Sequence, residues 1–133
     1  MLPEFDREGN LPPGIYVATL ESVVSRFGTG SPEREVQARE LEDFVQWSRN
    51  AGILRMVVDG SFVTSRVSPN DVDVVILPPA GFPLSGALEE TERLWPFIHV
   101  IVATDQADLE KWARVDFSTD RKGVIRGVVE FVL

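Results

Sequence analysis

The sequence predicts a single α/β or α+β domain, in which helical segments and strand-forming segments alternate along the chain. The chain has 133 residues, a length that suits one domain with one sizeable core. Apolar residues make up 44% of the sequence and charged residues 26%, as in ordinary globular proteins. Short runs rich in valine and isoleucine follow segments that begin with helix-capping residues. We therefore expect residues 1–133 to form one domain.

The first part of the chain predicts an extended lead-in and two helices. Residues 1–18 form the N-terminal lead-in, because Pro12 and Pro13 favour extended backbone and cannot sustain a helix. Each of the two helices is preceded by a hydroxyl side chain that can cap it and is followed by a glycine that can end it. The helices are residues 20 to about 27 after Thr19, and residues 32 to 50 or 51 after Ser31.

The rest of the chain predicts four strands and two further helices. Runs of β-branched residues indicate the strands, and Ser, Thr or Asp before a periodic segment indicates a helix start. The strands are residues 53–58, 71–77, 97–103 and 124–133, the last after a turn at 120–123. The helices are residues 85 or 86 to about 95 and residues 106–115, the latter capped by Thr104 or Asp105, and a short helix or turn is expected within residues 62–66.

Composition excludes several classes of protein. A formal net charge of −8 repels polyanions, so non-specific nucleic-acid binding is not expected. The chain has no cysteine, which excludes a disulfide framework and a thiolate nucleophile and suits a cytoplasmic location. The N-terminus lacks the pattern of a signal peptide, and no apolar run approaches the roughly 20 residues that a transmembrane helix needs.

Two carboxylates on one strand are the first candidate site. Asp71 and Asp73 are two residues apart, so on a strand they project from the same face while Val72 and Val74 face the core. Paired carboxylates repel each other unless a cation or a proton lies between them. Mg²⁺ takes oxygen ligands, and two such ions stabilise the attacking and leaving oxygens of an in-line phosphoryl displacement. The pair therefore predicts a magnesium site.

Gly60 and Ser61 form the second candidate site, after a predicted buried strand. A residue without Cβ lets the backbone approach a phosphate closely. A helix starting at Ser61 would direct its free amides and hydroxyl at the terminal phosphates of a nucleoside triphosphate. Taken alone, Gly-Ser is usually a turn and Asp-x-Asp is usually a solvated strand edge. Their order and spacing together favour a site that binds both nucleotide and magnesium.

The two motifs resemble a known signature. Gly60-Ser61, nine intervening residues and Asp71-Val72-Asp73-Val74 resemble the signature of the DNA polymerase β-like nucleotidyltransferase superfamily. A narrower resemblance is to small, uncharacterised bacterial nucleotidyltransferase-like proteins. It rests on Gly60-Ser61-Phe62-Val63-Thr64, Pro69-Asn70-Asp71-Val72-Asp73, Leu11-Pro12-Pro13-Gly14 and Asp120-Arg121.

The resemblance implies a single minimal nucleotidyltransferase domain, with a mixed β-sheet flanked by helices. It also implies ATP or another nucleoside triphosphate and two Mg²⁺ ions at Gly60, Ser61, Asp71 and Asp73. Such an enzyme transfers a nucleoside monophosphate to a hydroxyl group of a protein, an RNA or a small molecule.

Catalytic relatives carry a third acidic residue on a neighbouring strand, whereas residues 97–103 contain no carboxylate. His99 could take that place, or it could be a hydrogen-bonded core or edge residue, and Asp105 is a further candidate or a helix cap. Arg66 could neutralise the triphosphate. Three other basic residues are further candidates that we interpret as solvated surface: Arg121, Lys122 and Arg126.

Other interpretations stay open. The chain could be a catalytically degenerate module that binds a nucleotide or a partner protein, such as one member of a toxin–antitoxin pair. It could also be a plain structural α/β domain in which the acidic pair lies on the surface.

Overall fold

The computed structural model describes residues 2–116 and 122–133, and within them it has five strands and four α-helices. The strands are β1 Ile15–Ala18, β2 Arg55–Asp59, β3 Val72–Leu77, β4 Ile98–Val102 and β5 Val128–Phe131. The helices are α1 Leu20–Phe27, α2 Pro32–Ala51, α3 Leu84–Leu94 and α4 Gln106–Lys111. A 3₁₀ helix covers Ser61–Val63, and a π-helical turn at Trp112–Asp116 continues α4. The expectations for Asp120 and Arg121 lie outside the described residues.

The capping residues predict the helix boundaries well. Thr19 and Ser31 each accept a hydrogen bond from the backbone amide three residues later, and so satisfy a free donor of the first turn. Gly52 ends α2 with a left-handed backbone (φ 79°). In α3, Ser85 and Gly86 have non-helical backbone angles, so the regular part of that helix begins only after Gly86.

The five strands form one mixed sheet in the order β1-β5-β2-β3-β4. β1 runs parallel to β5 and β3 runs parallel to β4, whereas β2 is antiparallel to both of its neighbours. The predicted fold class, α+β with a mixed sheet flanked by helices, is confirmed. β1 lies within the predicted N-terminal lead-in. The prediction missed this strand, Ile15–Ala18, because the two prolines before it indicated irregular extended backbone.

The two faces of the sheet pack against different helices. On one face, Val58 and Val74 pack with Leu41 and Phe44 of α2 in the larger core. On the other face, which we call the α4 face, Val57, Val75 and Leu77 pack with Leu109 of α4 and with Ala113. Side chains alternate between the faces along each strand. Every residue of β2, β3 and β4 with the parity of Val57 and Val75 therefore belongs to the α4 face.

Candidate functional site

Strand pairing collects polar side chains at one end of the α4 face. The β2–β3 register places Asp59 opposite Asp73, and the β3–β4 register places His99 opposite Asp73. All three share the parity of the α4 face, as does Asp71, which precedes β3. We call these four residues, with Arg126, the acidic end of the sheet. The pairing thus brings the predicted Asp71, Asp73 and His99 together and adds Asp59.

His99 contacts Asp73, one member of the acidic pair. Its Nδ1 lies 3.0 Å from Oδ1 of Asp73, and its side chain is 62% exposed. An ionised carboxylate only accepts hydrogen bonds, so Nδ1 of a neutral imidazole carries the proton and Nε2 is left as an acceptor. Asp105, the alternative candidate, lies beyond the far end of β4. Its carboxylate accepts from the backbone amide of Asp108 and caps α4, so Asp105 is not part of the acidic end.

Asp71 is partly buried at the edge of this group. Burial raises the pKa of its carboxyl, the negative charge of Asp73 raises it further, and His99 lowers it. The repulsion expected from the Asp-x-Asp spacing is therefore present in the folded chain. A bound cation would relieve it.

Asp59 is a site residue that the sequence pattern did not reveal. It is 3% exposed, and burial raises the pKa of its carboxyl from 3.8 to about 6; Asp73 adds to the rise, while Arg126 and the Gly60 amide oppose it. Asp59 directly precedes Gly60 and has the parity of Val57. Its position before Gly60 and its parity identify Asp59 as a site residue only once β2 is known to continue through residue 59.

Arg126 is the cation of the acidic end. Its Nε lies 3.5 Å from Oδ1 of Asp59, close enough for an ion pair. Within the described residues neither of these two buried atoms makes a hydrogen bond. The Arg126 side chain is 18% exposed, so its interpretation as solvated surface is wrong.

The Gly-Ser turn lies against the acidic pair. Gly60 has φ 86° and ψ −169°, a backbone conformation that is almost confined to glycine. A Cβ at this position would collide with the carboxylate of Asp73. The missing side chain therefore allows backbone and carboxylate to approach each other, and the two predicted motifs meet in space.

A polar stripe on α2 holds the loop that follows Gly60. Arg34 is 5% exposed, and its guanidinium donates to main-chain carbonyls on both sides of it rather than to a carboxylate. The acceptors at 2.6–2.9 Å are the carbonyls of Phe27, Phe62, Thr64 and Arg66. Ser31 donates to the carbonyl of Val67 at 2.6 Å, and Gln37 donates to that of Pro69 at 2.7 Å. The helix thus fixes the loop through its backbone.

Arg66 is the basic candidate nearest in sequence to the two motifs. Arg66 is exposed, and in the described part of the chain its side chain forms no ion pair, although its carbonyl accepts from Arg34. The structure therefore does not bring the Arg66 side chain to Asp71 and Asp73. Lys122 is exposed, and Arg121 lies outside the described residues.

Comparison with protein families gives one match. The model of a family of unknown function, DUF6932, matches residues 3–132. This chain belongs to the DUF6932 family. Both motifs and every strand of the sheet lie within the matched range. Comparison with curated proteins gives no match, and comparison with solved structures gives none.

The DUF6932 chain has space for a small molecule beside the acidic end. A cavity of about 390 Å³ is bordered by Asp71 and His99 and lies between β4 and α3. This volume falls in the range of small-ligand sites. Among residues 2–116 and 122–133, no three acidic or histidine side chains converge as ligands of one ion. A metal ion at the acidic end would therefore have Asp71 and Asp73 as its protein ligands and would need further ligands from substrate or water. The helices of the same residues include none long and apolar enough to cross a bilayer.

Proposed function

We propose that this DUF6932 protein is a minimal Mg²⁺-dependent nucleotidyltransferase, which transfers a nucleoside monophosphate from ATP or another nucleoside triphosphate to a hydroxyl acceptor. One observation carries the proposal. The backbone of Gly60 lies against the Asp73 carboxylate, which joins the two halves of the sequence signature into one site. The resemblance to DNA polymerase β-like nucleotidyltransferases supports the same function.

The donor set of the acidic end fits magnesium. Mg²⁺ prefers oxygen ligands and commonly binds one or two carboxylates together with substrate phosphates. Asp71 and Asp73 would supply the carboxylates. Burial raises the pKa of Asp71, and the negative charge of Asp73 raises it further; a cation between the two carboxylates would offset that second contribution. When bound, the metal neutralises charge on the phosphates during transfer.

The protein's own residues would position the reactants and accept a proton. Gly60 and Ser61 would hold the phosphates through the backbone and the hydroxyl group. Nε2 of His99 would accept the proton of the acceptor hydroxyl while Asp73 orients the imidazole. The acceptor oxygen forms a bond to the α-phosphorus, the bond from that phosphorus to the α,β-bridging oxygen breaks, and pyrophosphate leaves.

The experiment is calorimetric titration with a non-hydrolysable triphosphate, with and without Mg²⁺, followed by label transfer from an α-labelled triphosphate to lysate components. We expect Mg²⁺-dependent binding that Asp71→Asn weakens by about 100-fold, and transfer that His99→Gln reduces. Glu33→Gln on the exposed start of α2 is the control for the loss of one negative charge. Absence of Mg²⁺-dependent binding, or equal binding by Asp71→Asn, would overturn the proposal.

A specific observation favours a second candidate, a non-catalytic module that binds a nucleotide or a protein partner, as in a toxin–antitoxin pair. β4 contains no carboxylate, whereas the resemblance implies a third acidic residue on a neighbouring strand in catalytic relatives, a place that His99 could take. This candidate predicts Mg²⁺-dependent triphosphate binding without label transfer, and no effect of His99→Gln beyond affinity. In both versions we propose a cytoplasmic location, in keeping with a chain that has no cysteine.

A further inference from the structure

The Asp59–Arg126 pair is not explained by the proposed site, although it adjoins it. Asp59 faces Asp73 across the β2–β3 ladder and directly precedes Gly60. Arg126 lies 3.5 Å from it, yet Oδ1 of Asp59 and Nε of Arg126 are both buried without a hydrogen bond in the described residues. A buried polar atom without a hydrogen bond is costly even where, as at Asp59, the Gly60 amide and the charge of Arg126 partly stabilise the carboxylate. The pair is therefore poorly satisfied as it stands.

The other buried or half-buried arginines show how unusual this is. Arg34 donates to several main-chain carbonyls at 2.6–2.9 Å. Arg55 forms a bidentate pair with Glu130, at 2.8 and 2.7 Å. Both guanidinium groups have strong acceptors in place. Within residues 2–116 and 122–133, Arg126 has a long ion pair and its buried Nε has no acceptor, so this donor could bind an anionic ligand.

We propose that Asp59 and Arg126 form an exchangeable ion pair: on nucleotide binding, Arg126 leaves Asp59 to bind a phosphate group, and Asp59 then faces the cation held by Asp71 and Asp73. The proposal rests on the proposed function, because it needs a triphosphate and a divalent cation at this end of the sheet. It assigns the phosphate-binding cation to Arg126 and a third acidic group to Asp59, on β2 rather than on β4.

Position and chemistry make the exchange feasible. Directly opposed residues of neighbouring antiparallel strands have Cβ atoms about 5 Å apart, so Asp59 lies close to any ion on Asp73. A guanidinium binds phosphate through two parallel hydrogen bonds, which its present contact with Asp59 lacks. Asp59 pairs with Arg126, and among the described residues it forms no three-ligand group with Asp71 and Asp73.

The exchange makes an unusual prediction about Arg126→Gln. Without Arg126, Asp59 loses the cation that pairs with it in the described residues, so the affinity for Mn²⁺ alone should rise by about three- to tenfold. The affinity for a non-hydrolysable triphosphate with Mg²⁺ should fall by about tenfold or more, because a phosphate contact is lost. Opposite changes in the two affinities distinguish exchange from general damage to the site.

The experiment is an electron paramagnetic resonance titration with Mn²⁺ alone, beside calorimetry with the Mg²⁺-bound triphosphate analogue. Arg39→Gln, on the exposed side of α2, removes the same charge far from the acidic end and is the matched control. Arg126→Lys keeps the positive charge but lacks the planar set of N–H donors of a guanidinium. This variant is used instead if Arg126→Gln does not fold. We expect it to lose triphosphate affinity with little change for Mn²⁺.

Three results are informative. Opposite changes for Arg126→Gln, together with weaker Mn²⁺ binding by Asp59→Asn, support the exchange. If wild type binds both probes in an Asp71-dependent manner but Arg126→Gln behaves like Arg39→Gln, the exchange is wrong and the proposed function stands. If wild type binds neither probe, the proposed function fails and the exchange fails with it.

Discussion

The charged side chains at the two ends of the α4 face differ in how completely they are paired. At the end covered by α4, Arg55 pairs with Glu130 through two hydrogen bonds of 2.8 and 2.7 Å and with Glu110 at 2.9 Å. Gln106 accepts a further bond from the same guanidinium at 2.7 Å. Glu130 and Glu110 raise the pKa of Arg55 above its ordinary value. We call these four residues the paired end.

The acidic end has the opposite character. It holds three carboxylates, Asp59, Asp71 and Asp73, and Arg126 pairs with Asp59 at 3.5 Å. Burial and mutual repulsion raise the pKa of two of these carboxyls, so the folded chain holds negative charge there at a cost. A balanced network ties α4 to the sheet, whereas an unbalanced one is suited to bind a cation. The contrast distinguishes a cluster whose charges are paired within the fold from one that we propose binds a cation.

The largest effect is expected at Arg34, which holds the loop next to the acidic end. Arg34→Met would leave the carbonyls of Phe62, Thr64 and Arg66 without their buried donor. At roughly 1–3 kcal/mol for each unsatisfied group, we expect the free energy of unfolding to fall by about 4 kcal/mol in urea denaturation. Arg34→Lys keeps the charge but fewer donors and should recover only part of the loss. A loss below about 1 kcal/mol for Arg34→Met would show that the loop does not depend on this residue.

The next effect is a pH dependence at Asp59. Because folding raises its pKa from 3.8 to about 6, the native state binds the proton more tightly than the unfolded state does. Stability from this group is therefore present at low pH and is lost as the pH rises from about 4 through about 6, by about 3 kcal/mol in all.

Asp59→Asn cannot ionise, so it removes this loss. The free energy of unfolding of Asp59→Asn, relative to that of wild type, should rise by about 3 kcal/mol between pH 3 and pH 7. Urea denaturation at a series of pH values measures the difference. If the difference in unfolding free energy between Asp59→Asn and wild type does not vary with pH, or varies with the opposite sign, the pKa of Asp59 is not raised by folding.

An intermediate effect is expected at Gly60. Gly60→Ala introduces a Cβ where the Asp73 carboxylate lies, in a backbone region that costs other residues roughly 1–3 kcal/mol. We expect a loss of about 2 kcal/mol of stability together with loss of Mg²⁺-dependent triphosphate binding. Gly81→Ala is the matched control, since Gly81 also has positive φ (77°) but has open space around its Cβ position. Equal triphosphate affinity in the two variants would show that Gly60 is not part of the triphosphate-binding site.

The smallest effect is expected at the paired end. Arg55→Met removes a network that is only partly buried, with the Arg55 side chain 24% exposed, and should cost about 1 kcal/mol of stability. Triphosphate and Mn²⁺ affinities should be unchanged, because this network lies at the other end of the face. A loss of either affinity comparable with that of Asp71→Asn would remove the distinction between the two ends.

Local sequence signals predicted most of the fold. Thr19 and Ser31 set the helix starts, and the spacing of Asp71 and Asp73 predicted that both lie on the same face at the start of β3. The features that were missed depend on contacts between residues far apart in sequence. Asp59 becomes part of the site only through its register with β3, and Arg126 reaches it across 67 positions of sequence.

The buried arginine of α2 and the first strand were missed for related reasons. Arg34 lies in a run of charged residues that resembles a solvated helix face, and only its packing against the loop of residues 61–66 buries it. β1 is four residues long, and its pairing with β5 outweighs the prolines just before it. No local pattern specifies either contact.

The most direct test of the contrast is where a divalent cation binds. In an NMR titration of uniformly ¹⁵N-labelled protein with Mn²⁺, paramagnetic broadening should appear first at the amides of the acidic end and of Gly60. The amides of the paired end should keep their intensity at the same Mn²⁺ concentration. Broadening centred on Glu110 and Glu130, or none at either end, would contradict a cation site at the acidic end.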